Sequence, residues 1–274
     1  MNTAAIVGVG LIGGSFALAL RKAGFTGRMV GVSSPAAIRA ALERGVIDEE
    51  LPLEEAAASA DFLYLARPVE RIVETIRAID QYVRPGTLIT DAGSTKLAIV
   101  EAARQSIRRG RFIGGHPMAG KETRGVEQAE ADLFQNRPYV LTGQDVVLED
   151  WIERIGARLV VLTAEQHDRL VAVTSHLPQL ISTALALLIA EEPDAARVAG
   201  PAALEFTRLA LSPYEIWRDI LSTNAESIDA ALGVFISRLE SLRSKLRSAA
   251  LEEEFEQAKR AAQALRGLGG HQPV

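Results

Sequence analysis

Short apolar runs alternate with amphipathic segments along the first 162 residues. Strands are predicted where apolar residues cluster, at 4–7, 28–32, 61–66, 87–91, 139–141 and 158–162. Helices are predicted where apolar residues recur at three- and four-residue steps, at 11–20, 35–44, 69–82, 95–108 and 145–155. This alternation is typical of an α/β fold of the Rossmann type with a doubly wound parallel sheet.

Strand signals end near residue 163, and long helical patterns follow. One covers 165–191 and is interrupted only at Pro178. Another covers 227–246, with apolar residues at alternating four- and three-residue steps: Ile228, Leu232, Phe235, Leu239, Leu242 and Leu246. We therefore predict a dinucleotide-binding domain over 1–162 and an all-α domain over 163–274. These six residues form an apolar seam along one side of the predicted helix. The seam favours a homodimer formed through the helical domain, although a helix packed on its own domain would show the same pattern. The end of the chain, 267–274, reads as a frayed tail.

Composition narrows the class of protein. The 274 residues carry a net charge of −5 and contain no cysteine. The mildly acidic balance argues against a nucleic-acid partner, and the lack of cysteine argues against disulfides and thiolate metal sites and fits the cytoplasm. The apolar N-terminus lacks a basic segment, so no secretory signal is predicted. The run at 181–190 is too short to span a bilayer, and no membrane partner is expected.

A glycine-rich turn joins the first predicted strand to the first helix. Gly8, Gly10 and Gly13 form a GxGxxG pattern in the strand–turn–helix order of dinucleotide-binding βαβ units. Gly8 permits a tight turn, Gly10 lets backbone approach a pyrophosphate, and Gly13 allows the helix to pack closely. The free amides of the helix N-terminus, including those of Leu11 and Ile12, are expected to face the phosphates. An ordinary glycine-rich turn would also match the pattern.

The residues after the second predicted strand bear on the choice of cofactor. NAD-selective folds carry Asp or Glu there, whereas this chain has Ser33 and Ser34. Both hydroxyls can donate to a 2′-phosphate, with Arg39 nearby, which favours NADP while NAD stays open. Ser33 can instead be the N-cap of the helix that begins at Pro35. Further cofactor contacts are expected at later strand ends, at Ala66, Pro68 and Asp91.

Two loops that follow strands carry candidate catalytic groups. Ser94 lies in DAGSTK, and His116 lies in GHPMAG. Ligands of open parallel sheets bind at the carboxyl ends of strands, so both loops are expected to face the nicotinamide. His116 suits proton transfer from a hydroxyl that is being oxidised, and Ser94 can orient its imidazole. Alternatively, Ser94 caps the helix at 95 and His116 is a buried core histidine.

Six motifs occur in order from residue 4 to about residue 224: GVGLIGGS, LARP, DAGSTK, GHPMAG, HDRLVAVTSHLPQ, and FTRLA with SPYEIWRDI. In combination they resemble the prephenate/arogenate dehydrogenase family of tyrosine biosynthesis. The resemblance implies NAD(P)-dependent oxidation of the C4 alcohol of a cyclohexadienol, with loss of the ring carboxylate as CO2.

The resemblance also implies roles for individual residues. His116 would be the catalytic base and Ser94 its hydrogen-bond partner. Arg208 would bind a substrate carboxylate, and the other pocket positions would be Gln179, His176, Glu122 and Trp217. The glutamine stands where family members often have histidine, at the substrate's side-chain end, which leaves the choice between prephenate and arogenate open. His167 and Asp168 are predicted to form a structural polar network.

Two other functions are compatible with the same fold. A dehydrogenase of the β-hydroxyacid type typically relies on a catalytic lysine in its helical domain, but Lys245 and Lys259 lie late and outside such a motif. A non-catalytic NAD(P)-sensing protein would need no histidine–serine pair at its strand ends. The set of motifs favours the dehydrogenase that the resemblance implies.

Overall fold

The structure is a computed structural model that describes residues 1–121, 123–248 and 250–268. Its strands are β1 (Thr3–Val7), β2 (Arg28–Val32), β3 (Glu49–Glu50), β4 (Phe62–Leu65), β5 (Leu88–Asp91), β6 (Arg111–Ile113), β7 (Gly115–Pro117), β8 (Pro138–Leu141) and β9 (Arg158–Val161). Its helices are α1 (Leu11–Lys22), α2 (Pro35–Glu43), α3 (Leu53–Ser59), α4 (Val69–Ile79), α5 (Leu97–Ser106), α6 (Val146–Arg154), α7 (Ala164–Val171), α8 (Leu177–Ala190), α9 (Ala195–Val198), α10 (Pro201–Thr207), α11 (Tyr214–Thr223), α12 (Ala225–Lys245) and α13 (Glu252–Leu268). The chain divides into two compact units between Ala225 and Glu226.

The main sheet is parallel, with strand order β3-β2-β1-β4-β5-β6. The chain runs outward from β1 on one side and from β4 on the other, so a crevice forms at the carboxyl ends of these two strands. A smaller sheet has the order β7-β8-β9, with β7 antiparallel to β8. The predicted doubly wound parallel sheet is confirmed, whereas the short strands β3, β6 and β7 were not predicted.

Apolar side chains pack on both faces of the main sheet. On one face, Phe16 of α1 stacks on Tyr64 of β4, with ring centroids 3.8 Å apart and ring planes 8° apart. Tyr139 of β8 joins the same cluster, and its hydroxyl donates to that of Tyr64 at 3.1 Å. The other face is covered by α4 and α5, through residues such as Ile72 and Ile76. Each fully buried isoleucine stabilises the fold by about 1.5–3 kcal/mol, and the shared tyrosine pair joins the two sheets into one core.

A π-helical turn, Ala172–His176, separates α7 from α8. Thr163 begins α7 with a capping box, in which its side chain and that of Gln166 bond each other's backbone amides. Pro178 lies in the first turn of α8, where the missing amide donor interrupts no helical hydrogen bond. The helical region predicted at 165–191 with a break at Pro178 is instead one helical run, which contains a π-helical turn just before the proline.

One helical run among the described residues, Ala164–Ala190, is long and apolar enough to cross a membrane by length and composition alone. Its first turns carry His167 and Asp168, both buried and hydrogen-bonded to each other. Buried polar groups that are satisfied by protein partners are typical of a helix packed on its own domain.

The second unit contains α12 and α13. Five of the six predicted apolar positions fall on α12 and the sixth, Leu246, directly follows it; Leu239 is 49% exposed and Leu246 65% exposed in the single chain. Helix α13 continues to residue 268, so the predicted frayed tail is wrong at 267–268, while 269–274 lie outside the described residues.

Candidate active site

The glycine turn after β1 leaves room for an anion in front of α1. Gly8 has a φ of +99°, in the region that favours glycine, and a Cβ on Gly13 would lie 2.1 Å from the Gly8 carbonyl oxygen. A Cβ on Gly10 would meet nothing within 4 Å, so the space before the helix is open. Among the described residues no side chain caps α1, and its first turn has no acidic residue, so the amides of Leu11 and Ile12 at the start of the helix are available for phosphate. The turn therefore fits a dinucleotide pyrophosphate.

A cavity of about 450 Å³ opens beside this turn. Its lining comes from the turn, the start of α2, the end of β4 and the segment before β8: Gly8, Val9, Gly10, Ser33, Ala36, Ala37, Ala66, Arg67, Pro68, Gly125, Val126 and Glu127. The lining includes the predicted cofactor positions Ser33, Ala66 and Pro68. Arg67 also lines the cavity but was not predicted as a cofactor contact. Its position in the LARP motif, directly after a predicted strand, was the available signal.

The predicted cap of α2 needs correction. Ser34, not Ser33, is the N-cap, and its Oγ accepts from the Ala37 amide at 3.4 Å. The Ser33 side chain is therefore not needed as the cap and lies at the cavity wall. Arg39 is exposed on α2 and is not part of the lining.

Asp91, at the end of β5, is fully buried and holds both candidate catalytic loops. Its Oδ2 accepts from the Gly93 amide at 2.7 Å and pairs with the Lys96 ammonium, while its Oδ1 accepts from the Gly115 amide at 3.0 Å. Burial lowers the pKa of Lys96, and the carboxylate opposes that shift. Because the Asp91 side chain has no exposed surface, it positions the loops, and the cofactor contact expected at Asp91 stays a prediction.

His116 is brought to the same place by β7. A Cβ on Gly115 would lie 2.6 Å from the Asp91 carbonyl oxygen, so only glycine lets the two strands approach this closely. The Nδ1 of His116 lies 2.8 Å from Nε2 of His167, whose Nδ1 lies 2.7 Å from Oδ1 of Asp168. The predicted partner of His116 was Ser94, but its hydrogen bond among the described residues is with His167.

The surroundings of His116 keep its imidazole neutral. Burial holds the pKa of His116 well below its usual value, and three neighbours that are cationic when protonated add to this effect: His167, Lys96 and His176. A neutral imidazole at working pH has a lone pair that can accept a proton.

Two carboxylates from the helical segment cap helices that begin at the carboxyl edge of the sheet. Asp168 accepts from the amides of Lys96 at 2.7 Å and Leu97 at 2.9 Å, at the start of α5. Asp219 accepts from the amide of Glu70 at 3.2 Å, at the start of α4. A carboxylate at a helix N-terminus stabilises it by about 0.3–2 kcal/mol. The cap of α5 is thus Asp168 and not Ser94, and the helical segment docks at the edge where ligands of such sheets bind.

His176 and Trp217 pack against each other. The His176 side chain is buried, and its ring meets the Trp217 ring edge-on with centroids 6.0 Å apart. Asn224 Nδ2 lies 3.2 Å from Nδ1 of His176, and Trp217 Nε1 donates to Ser212 Oγ at 2.9 Å. Burial lowers the pKa of His176 to about 4, so this ring is also neutral near pH 7.

The remaining predicted pocket residues come from three segments. Gln179 of α8 is buried; its Nε2 donates to Thr183 Oγ1 at 3.4 Å, and its Oε1 has no hydrogen-bond partner among the described residues. Arg208 begins a short 3₁₀ helix and is exposed. Glu122 lies outside the described residues.

His167 and Asp168 were predicted as a structural network, and their connection to His116 was missed. The signal lay in the pattern of α7. Ala164, Asp168 and Val171 recur at four- and three-residue steps and are buried together. A carboxylate within an apolar helix face needs a buried hydrogen-bond partner, so this pattern predicts a buried polar contact at Asp168.

Two family models match consecutive parts of the chain. The model described as prephenate dehydrogenase, nucleotide-binding domain, matches residues 16–167. The model described as prephenate dehydrogenase, dimerization domain, matches residues 163–260. The chain belongs to the prephenate dehydrogenase family.

Individual members of the prephenate dehydrogenase family resemble the chain over nearly its whole length. Prephenate dehydrogenase of Lactococcus lactis subsp. cremoris is 34% identical, over 97% of this chain and 78% of its own length. The crystal structure of A. aeolicus prephenate dehydrogenase in complex with hydroxyphenyl propionate and NAD+ has a TM-score of 0.89 and 31% identity, covering 98% of both chains. Synechocystis arogenate dehydrogenase has a TM-score of 0.82 and 30% identity, over 97% of this chain and 99% of its own.

These relationships confirm the predicted fold class and the prediction of an NAD(P)-dependent oxidoreductase. They do not favour the β-hydroxyacid dehydrogenase or the nucleotide sensor.

Proposed function

We propose that the chain oxidises prephenate, arogenate or both, with release of the ring carboxylate as CO2. When bound, the nicotinamide accepts the hydride from C4. The observation that carries the proposal is His116, a neutral imidazole beside the carboxyl edge of a sheet whose glycine turn opens onto a cavity of about 450 Å³. A neutral base at that edge matches the chemistry of alcohol oxidation, which must remove a hydroxyl proton.

The other residues receive roles in the same reaction. His116 accepts the proton of the C4 hydroxyl, and Ser94, in the loop held by Asp91, hydrogen-bonds that hydroxyl. Arg208 binds a substrate carboxylate through two parallel N–H bonds. His176 and Trp217 support the pocket wall, and Glu122 lies near its mouth.

The unpartnered amide oxygen of Gln179 favours arogenate at the substrate's side-chain end. Because Nε2 of Gln179 donates to Thr183, the group left without a partner is an acceptor. The side-chain ammonium of arogenate is a donor, whereas the side-chain ketone of prephenate is an acceptor. A buried acceptor that stays unpaired costs about 1–3 kcal/mol, so arogenate is expected to bind more tightly.

We propose NADP as the preferred cofactor. Ser33 lines the cavity at the end of β2 where NAD-selective folds carry a carboxylate, and Arg67 lines the same cavity. A hydroxyl and a guanidinium both suit a 2′-phosphate.

We further propose a homodimer that assembles through the helical domain, with the domain boundary near residue 163. The boundary is supported by the end of β9 at Val161 and by the two family models, which meet at 163–167. The dimer is supported by the exposed apolar side chains of α12 and by the match of residues 163–260 to a dimerization-domain model.

Initial rates of NADP and NAD reduction, each with prephenate and with arogenate, test the proposal. The expected order places arogenate with NADP first. Turnover with neither substrate would refute the proposed function, while faster turnover of prephenate would refute the role given to Gln179.

A further inference from the structure

The hydrogen bonds that lead from Asp168 to His116 take a single direction when His167 is neutral. Each Asp168 oxygen accepts a backbone amide, as suits an ionised carboxylate, which has no proton to donate. His167 Nδ1, 2.7 Å from Oδ1 of Asp168, must therefore carry a proton. Neutral His167 then accepts at Nε2, so His116 donates from Nδ1 across 2.8 Å. The lone pair of neutral His116 is left on Nε2.

We propose that His167 and Asp168 are positioning residues that hold His116 in its Nδ1–H tautomer and take up the charge it gains. The inference rests on the proposed function, which gives His116 its role as base. As the substrate O–H bond breaks, an Nε2–H bond forms on His116. The Nδ1 proton of His116 then moves to Nε2 of His167, and the imidazolium lies 2.7 Å from the Asp168 carboxylate. Hydride transfer in the proposed reaction removes the two electrons of the C4–H bond.

The charges around His116 favour transfer of its Nδ1 proton to His167. The titratable groups whose charge acts on His116 come from three elements: His167 of α7, Lys96 before α5 and His176 of the π-helical turn. Lys96, which already pairs with Asp91, opposes a positive charge on His116, and each of the two histidines does so once it is protonated. A positive charge on His167 lies instead next to the Asp168 carboxylate, whose negative charge stabilises it.

Histidine tautomers test the inference without relying on activity. The chain has four histidines, so its labelled imidazole nitrogens can be assigned by NMR with single His116→Asn and His167→Gln variants. At neutral pH we expect both His116 and His167 to carry their proton on Nδ1. A His116 proton on Nε2 would overturn the inference even in an active enzyme.

Two substitutions of His167 separate tautomer control from charge uptake. His167→Gln keeps an acceptor for His116 and a donor for Asp168 but takes up no proton, whereas His167→Leu loses all three properties. We expect kcat to fall about 10-fold for His167→Gln and about 100-fold for His167→Leu. The KM should change little, because residue 167 acts through His116 and does not touch the substrate. Equal losses of kcat in the two variants, or an effect confined to KM, would contradict the inference.

Asp219 provides a matched control for the capping role of Asp168. Each carboxylate caps one helix at the same edge of the sheet, but Asp168 alone is bonded to His167. Both Asp168→Asn and Asp219→Asn should lower the Tm. Asp168→Asn alone should move the acid limb of the kcat/KM profile to lower pH, because the protonated pair of histidines has lost its carboxylate.

The outcomes distinguish the inference from the function on which it rests. If Asp168→Asn and Asp219→Asn both keep the wild-type pH profile, Asp168 is only a helix cap and the inference fails. If the wild-type chain oxidises neither substrate while both tautomers are as expected, the proposed function fails and the tautomer assignment stands.

Discussion

Mild acid should destabilise this protein through its buried histidines. Burial lowers the pKa of His176 to about 4, and its Nδ1 accepts a hydrogen bond from Asn224 that protonation would remove. In the unfolded chain the pKa of a histidine returns to about 6.5. Unfolding therefore takes up a proton between about pH 6.5 and pH 4, and the free energy of unfolding falls as the pH falls through that window.

The size of the effect follows from the shift. At about 1.4 kcal/mol per pKa unit, His176 alone should remove roughly 3 kcal/mol of stability between neutral pH and pH 4. His116, whose pKa is also lowered by burial, adds a second proton with the same sign. The slope should therefore be about 1.4 kcal/mol per pH unit from one histidine and approach about 2.7 where both titrate.

Urea unfolding followed by circular dichroism across this pH range, at fixed protein concentration, measures the slope. His176→Gln should reduce it by about 1.4 kcal/mol per pH unit, because the proton that this residue takes up on unfolding is lost. A free energy of unfolding that stays constant between pH 6.5 and pH 5 in the wild-type chain would refute the reasoning.

Four substitutions test the site. His116→Asn should lower kcat roughly 100-fold or more while cofactor affinity, followed by fluorescence titration, stays unchanged; full activity would remove this residue from the chemistry. Arg208→Gln should mainly raise KM, and an unchanged KM would exclude it from carboxylate binding. Gly13→Ala should abolish cofactor binding, because its Cβ would lie 2.1 Å from the Gly8 carbonyl oxygen; native affinity would contradict the close packing. Ser33→Asp should raise the kcat/KM ratio of NAD over NADP about tenfold, since a carboxylate repels a 2′-phosphate, and a constant ratio would exclude Ser33 from that contact.

The central strands of the sheet could be predicted because each is a short apolar run between turn residues. β2 was predicted with its observed bounds, β1 and β5 differ from prediction by one residue at one end, and β4 differs by one residue at each end. Glu49–Glu50 and Gly115–Pro117 carry no such signal, since their pairing depends on neighbouring strands rather than on their own composition.

Long-range polar contacts in the site could not be predicted from local pattern. Helix caps were sought among adjacent residues, which singled out Ser94, but the cap of α5 comes from Asp168, 72 residues beyond Lys96. His116 could be recognised as a candidate base from its motif. Its bond to His167 depends on how α7 docks on the sheet, and no spacing rule contains that information.

The π-helical turn before α8 contains one residue more than an α-helical turn, and this extra residue allows Pro178 to lie at the start of α8. A π turn holds one residue more than an α turn, so deleting a residue from Ala172–His176 would rotate α8 by about 100°. Pro178 would then fall inside a continuous helix, at a cost of about 3 kcal/mol. Conversion to a regular helix therefore requires both a deletion and a substitution of the proline, because the deletion alone is destabilising. A single deletion in the π turn would therefore both turn Gln179 away from its present position and destabilise the helix.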